Sequence, residues 1–300
     1  MDRRPAQVDE GGPARPGERV DDYVVGSPIG AGLTGTTFLA ARAGPDGHLR
    51  QVALKLCDPA RSVVLPWASR LEDDLDPRVV RYEAVGPAGR RWSGYWVTDV
   101  LRGAPLDDVV AGASFARRLG AALDVALAVA ALHERGLVHG HLLPHNVLVR
   151  RERAGALAPV VTDVGVRLRL DPTLHGRPGV APRVYPFLAP EALEALATDP
   201  ARVEAPADVY SIGALLCALL TGLGPGLAEG ERDGAEIARS KARRVYAVGA
   251  LLAPDEPVDL ERTNDLLQRC LAPRPGDRPT AGEVAQALRA ALLSPEHALP

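Results

Sequence analysis

Gly30, Gly32 and Gly35 spell G-x-G-x-x-G, a spacing whose bare backbone can close over the phosphates of a nucleotide. Dinucleotide-binding folds share this spelling, but there a helix must follow so that its N-terminus can hold the pyrophosphate. Here Thr36 to Ala41 continue as strand, and the chain turns back at Pro45-Asp46-Gly47 into Gln51-Val52-Ala53-Leu54-Lys55-Leu56. The glycines therefore sit in a hairpin. Lys55 ends the apolar return strand, where a lysine can snorkel to an edge or reach toward a phosphate. Of 35 basic residues only Lys55 and Lys241 are lysine, so a lysine kept here marks a need for a compact ammonium that guanidinium does not meet. A further group, His139-x-His141-x-x-x-His145, offers imidazoles at a spacing that could ligate a metal or supply a base near neutral pH.

Runs rich in β-formers at 23–29, 36–41 and 51–57, separated by glycine-rich and Pro-Asp-Gly turns, predict an antiparallel meander. After Pro59 a brief, poorly helical stretch leads to strand-like runs at 78–86 and 94–101. From Pro105 the pattern turns helical, first at 106–112 and then in a longer segment that Ser114 can cap and Gly136 can end. A turn-rich interval at 137–190 precedes a largely apolar helix closed by Gly222. Further helices are expected at 232–250, 260–271 and 280–293, the last opened by a Thr280/Glu283 capping box. A small β lobe before a larger helical lobe predicts an α+β molecule with a cleft between the lobes. Residues 1–19, rich in Pro, Gly and charge, read as a disordered arm. The N-lobe is expected over 20–101, the C-lobe over 102–294 and a tail over 295–300.

Hydrophobic residues at 46 % and charged residues at 24 % are globular values that exclude a collagen-like or wholly disordered chain. A net charge of −3 leaves no basic footprint for nucleic acid or an anionic membrane surface. No apolar run is long enough to span a bilayer, and the first 19 residues lack a signal-peptide core. Three isolated cysteines, Cys57, Cys217 and Cys270, without a Cys-x-x-Cys pair, fit a reducing compartment. A cytoplasmic protein is expected.

With Val52-Ala53-Leu54-Lys55 following a glycine-rich hairpin, the chain resembles the eukaryotic-like serine/threonine protein kinases of bacteria. The resemblance runs from about residue 20 to 293, with its landmarks in family order. It implies a bilobal protein-kinase-like fold with ATP and Mg as cofactors. Gly30, Gly32, Gly35 and Ala53 would line the nucleotide site, and Lys55 would reach its α and β phosphates. Thr98-Asp99-Val100-Leu101 corresponds to the interlobe hinge, which implies Asp99 and Leu101 at the adenine. Asn146, in His139-Gly140-His141-Leu142-Leu143-Pro144-His145-Asn146, and Asp163, in Thr162-Asp163-Val164-Gly165, are implied as magnesium ligands. Ala189-Pro190-Glu191 and Arg278 match an ion pair that braces the C-lobe. Asp208 and Gly213 match the buried helix that anchors the catalytic loop, and His139 matches a buried strut beneath it.

The departures bear on activity. Where the family writes HRDLKxxN, this chain has Gly140, His141 and Leu143 at the arginine, aspartate and lysine positions. Base catalysis contributes about 10²–10⁴ in rate, so its loss is severe. Only 20 residues separate Lys55 from Asp76-Pro77, roughly ten fewer than the family fits there. The helix that should carry the lysine's glutamate partner is shortened; Pro66 or Trp67 falls at the glutamate position, and Glu72 lies too near the next strand. Between Asp163 and Glu191 the hydroxyl residues are Thr173 and Tyr185, with Val184 where the family has a threonine and Val164 in place of the DFG phenylalanine. The pattern resembles the pseudokinase domains of Janus kinases. It implies a pseudokinase that binds ATP with Mg and regulates or scaffolds an unidentified protein partner without efficient phosphotransfer. The alternatives are a weakly active kinase using His141 as an atypical base, and a nucleotide-free scaffold in which Lys55 and Asp163 form only a structural pair. Segments 171–183 and 224–258, the latter with a basic run at 238–244, are candidate docking surfaces.

Overall fold

The computed structural model describes residues 14–44, 47–66, 68, 71, 76–88, 91–110, 112–151, 157–170, 184–222, 241 and 259–293. The N-lobe contains β1 (Arg19–Val20), β2 (Tyr23–Ala31), β3 (Gly35–Ala43), β4 (Leu49–Cys57), β5 (Ser62–Val64), β6 (Tyr82–Gly86) and β7 (Gly94–Thr98). Six of these form one antiparallel sheet in the order β1-β2-β3-β4-β7-β6. Alternation along β4 gives its two faces different tasks. Val52, Leu54 and Leu56 pack with Val25, Phe38 and Val97 in the upper core. Ala53, Lys55 and Cys57 take the opposite face, toward the cleft.

Below the cleft, β8 (Ala104–Pro105), β9 (Val147–Arg151) and β10 (Leu157–Val161) form a second antiparallel sheet in the order β10-β9-β8. The C-lobe helices are α1 (Leu106–Val110), α2 (Phe115–Glu134), α3 (Pro190–Thr198), α4 (Ala205–Thr221), α5 (Leu260–Cys270) and α6 (Ala281–Leu293). Helix α4 is apolar on nearly every side and accordingly buried along almost its whole length, the central post of the lobe. Ser114 caps α2 by accepting from the Arg117 amide at 3.3 Å. The Thr280/Glu283 box forms reciprocally before α6, with bonds of 2.7 and 3.2 Å.

Some expectations need correction. Within the stretch expected as an arm, Ala14 is buried with Val20 in the upper core and Arg19 pairs with Val24, while residues 1–13 lie outside the described residues. The expected strand at 78–86 begins only at Tyr82, preceded by a single parallel bridge from Val79 to Val161. The expected helix at 232–250, segment 171–183 and most of 224–258 lie outside the described residues. Between β4 and β6 the described residues form no α-helix. Instead β5 pairs antiparallel with β11 (Val166–Leu168), Val64 opposite Val166, and the Leu65 amide donates to the Gly165 carbonyl at 2.8 Å. The Ser-Val-Val run of β5 suits an extended strand better than a helix, and this pairing ties the N-lobe directly to the Asp163-Val164-Gly165 element.

Candidate functional site

The roof of the cleft is the glycine hairpin and β4. A side chain at Gly35 would collide with the Leu56 carbonyl, so glycine lets β3 start this close to β4. Thr34, at the hairpin tip, is buried. Its carbonyl accepts from the Asp58 amide at 2.9 Å and the Ser62 hydroxyl at 3.0 Å, and its hydroxyl donates to Asp163 Oδ2 at 3.4 Å.

Lys55 pairs with the same Asp163 oxygen, and both side chains are 10 % exposed. The ammonium also lies 5.2 Å from the ring centre of Trp96, its cross-strand neighbour on β7. Pro66 is exposed, while Trp67 and Glu72 fall outside the described residues; the ion-pair partner of Lys55 is the carboxylate across the cleft. Asp163 takes a left-handed backbone, φ 61°, uncommon for a residue with a side chain and frequent where geometry is functionally constrained. Both contacts fall on Oδ2, so Oδ1 has no partner among the described residues.

The floor is the loop from His139 to Asn146, held from beneath by Asp208 on α4. That fully buried carboxylate accepts from the His139 amide at 2.8 Å, the Gly140 amide at 2.6 Å and His133 Nε2 at 2.9 Å. Burial by itself would raise its pKa, but these donors, His133 foremost, bring it below the usual carboxylate value. Gly140 has φ 78°, and a Cβ there would land on the Arg167 guanidinium. Arg167 is itself buried, donating to the carbonyls of His139, Val138 and Val166. Burial pulls its pKa down to about 10. An arginine at position 140, as the family has, finds this space already filled from β11.

His139 donates from Nε2 to the Thr162 carbonyl at 2.9 Å and accepts the His141 amide at Nδ1 at 3.4 Å, which fixes a neutral tautomer. Burial, aided by Arg167, lowers its pKa. Unfolded, the ring takes a proton as pH falls through about 6.5; folded, it resists, so protonation favours the unfolded chain. Stability is expected to fall between about pH 7 and pH 5.5 by up to about 1 kcal/mol for this histidine. The readout is a lower urea midpoint; a constant midpoint across that window would contradict the assignment.

His141 is 1 % exposed, 5.1 Å from the His139 ring, and neither of its nitrogens has a hydrogen-bond partner among the described residues. Burial first, then the neighbouring His139, Arg167, Lys55 and His145, drive its pKa well below the usual histidine value. Asn146 is buried and donates from Nδ2 to the His141 carbonyl at 3.1 Å. With both His139 nitrogens engaged, the three-histidine metal reading loses its first ligand. Among the described residues no group of three His, Cys, Asp or Glu side chains is arranged for a metal.

Roof and floor enclose a cavity of about 370 Å³, within the size range of small-molecule sites. Gly30, Gly32, Ala53, Lys55, Asp99, Leu101, Asn146 and Asp163 all line it, together with His141; Gly35 instead anchors the hairpin. The Asp99 carboxylate is turned outward, 70 % exposed and 2.5 Å from Arg50. No protein atom lies within 4 Å of where a Gly30 side chain would begin, which leaves the hairpin open to a close-lying ligand. An ammonium, an unpaired carboxylate oxygen and a side-chain amide on one cavity are the donor set that a magnesium-bearing polyphosphate needs, and the residues fit such a group.

The C-lobe brace forms as well. Arg278 grips Glu191 through two bonds of 2.5 and 3.0 Å and donates to the carbonyls of Ala272, Pro206 and Pro273. Lys241 is fully buried, its ammonium bonded to the carbonyls of Tyr185, Pro186 and Leu188 and 5.0 Å from the Tyr210 ring. It does not belong to a solvated docking face, and the rest of 238–244 lies outside the described residues. Both lysines of the chain thus hold sites that suit a compact ammonium. Thr34, Trp96, His133 and Arg167 escaped the sequence reading; for Thr34 the hairpin-tip position was a usable signal, and for Arg167 there was none.

No helix among the described residues is long and apolar enough to cross a membrane. The protein kinase domain family matches residues 77–288. PkaA, a serine/threonine-protein kinase of Streptomyces coelicolor, is 27 % identical over 290 residues, covering 89 % of this chain and 49 % of PkaA. PkaB of the same organism, also a serine/threonine-protein kinase, is 30 % identical over 289 residues, covering 90 % of this chain and 63 % of PkaB. The chain thus spans about half the length of PkaA. The crystal structure of the Mycobacterium tuberculosis PknI kinase domain superposes with a TM-score of 0.65 at 20 % identity, over 93 % of this chain and 99 % of that one, a likeness of fold. With its β-rich upper lobe, its helical lower lobe and a kinase-domain match over most of its length, the chain belongs to the protein kinase domain family, with bacterial serine/threonine kinases among its relatives.

Proposed function

We propose that the chain is a pseudokinase, which binds ATP with magnesium in the interlobe cleft and regulates or scaffolds a protein partner in the cytoplasm without efficient phosphotransfer. One observation carries the reading: the groups expected to hold a nucleotide line a single cavity, while the position that needs a carboxylate base holds a buried His141 without a hydrogen-bond partner among the described residues. Lys55 would hold the phosphates and Asn146 and Asp163 the magnesium, with Ala53, Asp99 and Leu101 toward the adenine. The metal neutralises phosphate charge when bound. His141 is a poor replacement base, because a strongly lowered pKa reduces its capacity to accept a proton from a hydroxyl. That argues against the weakly active kinase. The nucleotide-free scaffold has one observation in its favour, the occupation of Asp163 Oδ2 by both Lys55 and Thr34.

Thermal unfolding with and without Mg·ATP separates the two. A ligand at a hundredfold excess over its Kd adds about 2.7 kcal/mol, a midpoint rise of roughly 5–10 °C. The rise is expected for the wild type and absent from Lys55→Met and Asp163→Asn. An unmoved wild-type midpoint at saturating nucleotide would leave only the scaffold.

A further inference from the structure

Nucleotide binding as proposed leaves His141 without a task. His141 is among the residues lining the cavity, is 1 % exposed, and has two buried ring nitrogens, an N–H and a lone pair, without a hydrogen-bond partner among the described residues. Buried polar groups in native proteins are nearly always partnered, so an orphaned ring on a cavity wall points to a partner supplied by the occupant. The surroundings select its charge. The His139 ring lies 5.1 Å away, the Arg167 guanidinium packs over neighbouring Gly140, Lys55 and His145 line the same cavity, and the Asp163 carboxylate is already paired with Lys55.

Position selects the part of the ligand. The His141 carbonyl is bonded by Asn146, and Asn146 and Asp163 are the residues that would hold the magnesium of a bound polyphosphate, which would neutralise charge at its outer phosphates. A carboxylate beside that end would repel the outermost phosphate, whereas a neutral imidazole can donate to it. We infer that His141 donates a hydrogen bond to the terminal phosphate of a nucleoside triphosphate, so that the cleft retains triphosphate in preference to diphosphate. This rests on the nucleotide-binding reading above. The position that would otherwise withdraw a proton from an acceptor hydroxyl then becomes a grip on the phosphate that the acceptor would have taken.

Calorimetric titration of the full chain with Mg·ATP and with Mg·ADP tests it, on wild type, His141→Ala, His141→Asn and Lys55→Met. A hydrogen bond to a charged group corresponds to about tenfold or more in affinity. Wild type is expected to bind ATP at least about tenfold more tightly than ADP. His141→Ala should bring that ratio near one, His141→Asn, which keeps an N–H donor, should restore part of it, and Lys55→Met should weaken both nucleotides. A wild-type ratio near one, or a ratio that His141→Ala leaves unchanged, overturns the inference while nucleotide binding stands. A wild type that binds neither nucleotide overturns the nucleotide reading and the inference with it.

Discussion

Asp208→Ala is expected to cost about 3–5 kcal/mol of folding stability, a large share of the 5–15 kcal/mol typical of a domain. The carboxylate is fully buried and takes three hydrogen bonds, from the His139 and Gly140 amides and the His133 ring. Truncation leaves two backbone N–H groups without acceptors inside the lobe, where each orphan costs about 1–3 kcal/mol. It also removes the negative charge that favours the buried Arg167 guanidinium, whose own bonds hold the His139 carbonyl from the other side. Asp208→Asn keeps the shape but replaces one accepting oxygen by an NH2 group that must face at least one backbone N–H, so it should recover only part of the loss. Urea unfolding of the three proteins gives the comparison, and a loss below about 1 kcal/mol in Asp208→Ala would mean that the loop is held by other means.

The loop anchor came from the family resemblance rather than from any local pattern: it was implied by matching a histidine that opens the loop and an aspartate that enters an apolar helix to family landmarks. Lys55 was legible for a physical reason, since strand alternation alone places it on the face of β4 opposite Val52, Leu54 and Leu56. That no full-length helix fits after β4 was legible as a shortage of chain. What replaces it was not, because a three-residue strand acquires its meaning only from a partner such as β11, roughly a hundred residues later. Thr34 and Asp163 meet across 129 residues, and nothing in the local pattern of either residue announces the contact. Arg167 reads as one more arginine in an arginine-rich chain. Only the coordinates show that its guanidinium fills the space over Gly140, which explains why the loop can carry glycine there and why restoring an arginine would displace a packed group.

The other large effect concerns phosphotransfer. Protein kinases turn over at about 1–100 per second, and loss of the base removes about 10²–10⁴ of that. Here three features act in the same direction. His141 is buried and weakly basic, Leu143 cannot neutralise the transferring phosphate, and Thr34 and Lys55 converge on Asp163 from the roof. Effects of groups that work as a unit are not additive, so they are not multiplied. Reinstating the aspartate alone, His141→Asp, leaves the leucine, the crowded carboxylate and the pairing of Lys55 with Asp163 in force, and is not expected to restore a family-like rate.

The most direct test is a single-turnover measurement in which protein in excess is mixed with γ-labelled Mg·ATP, a generic protein substrate is supplied, and quenched samples are separated into free nucleotide, phosphoprotein and inorganic phosphate. The account predicts that the label is bound at once yet leaves ATP about 10²–10⁴-fold more slowly than the roughly 1–100 per second of a working protein kinase. Transfer to protein at about 1–100 per second, abolished by Lys55→Met, would contradict it and make the chain a working kinase with an unfamiliar base.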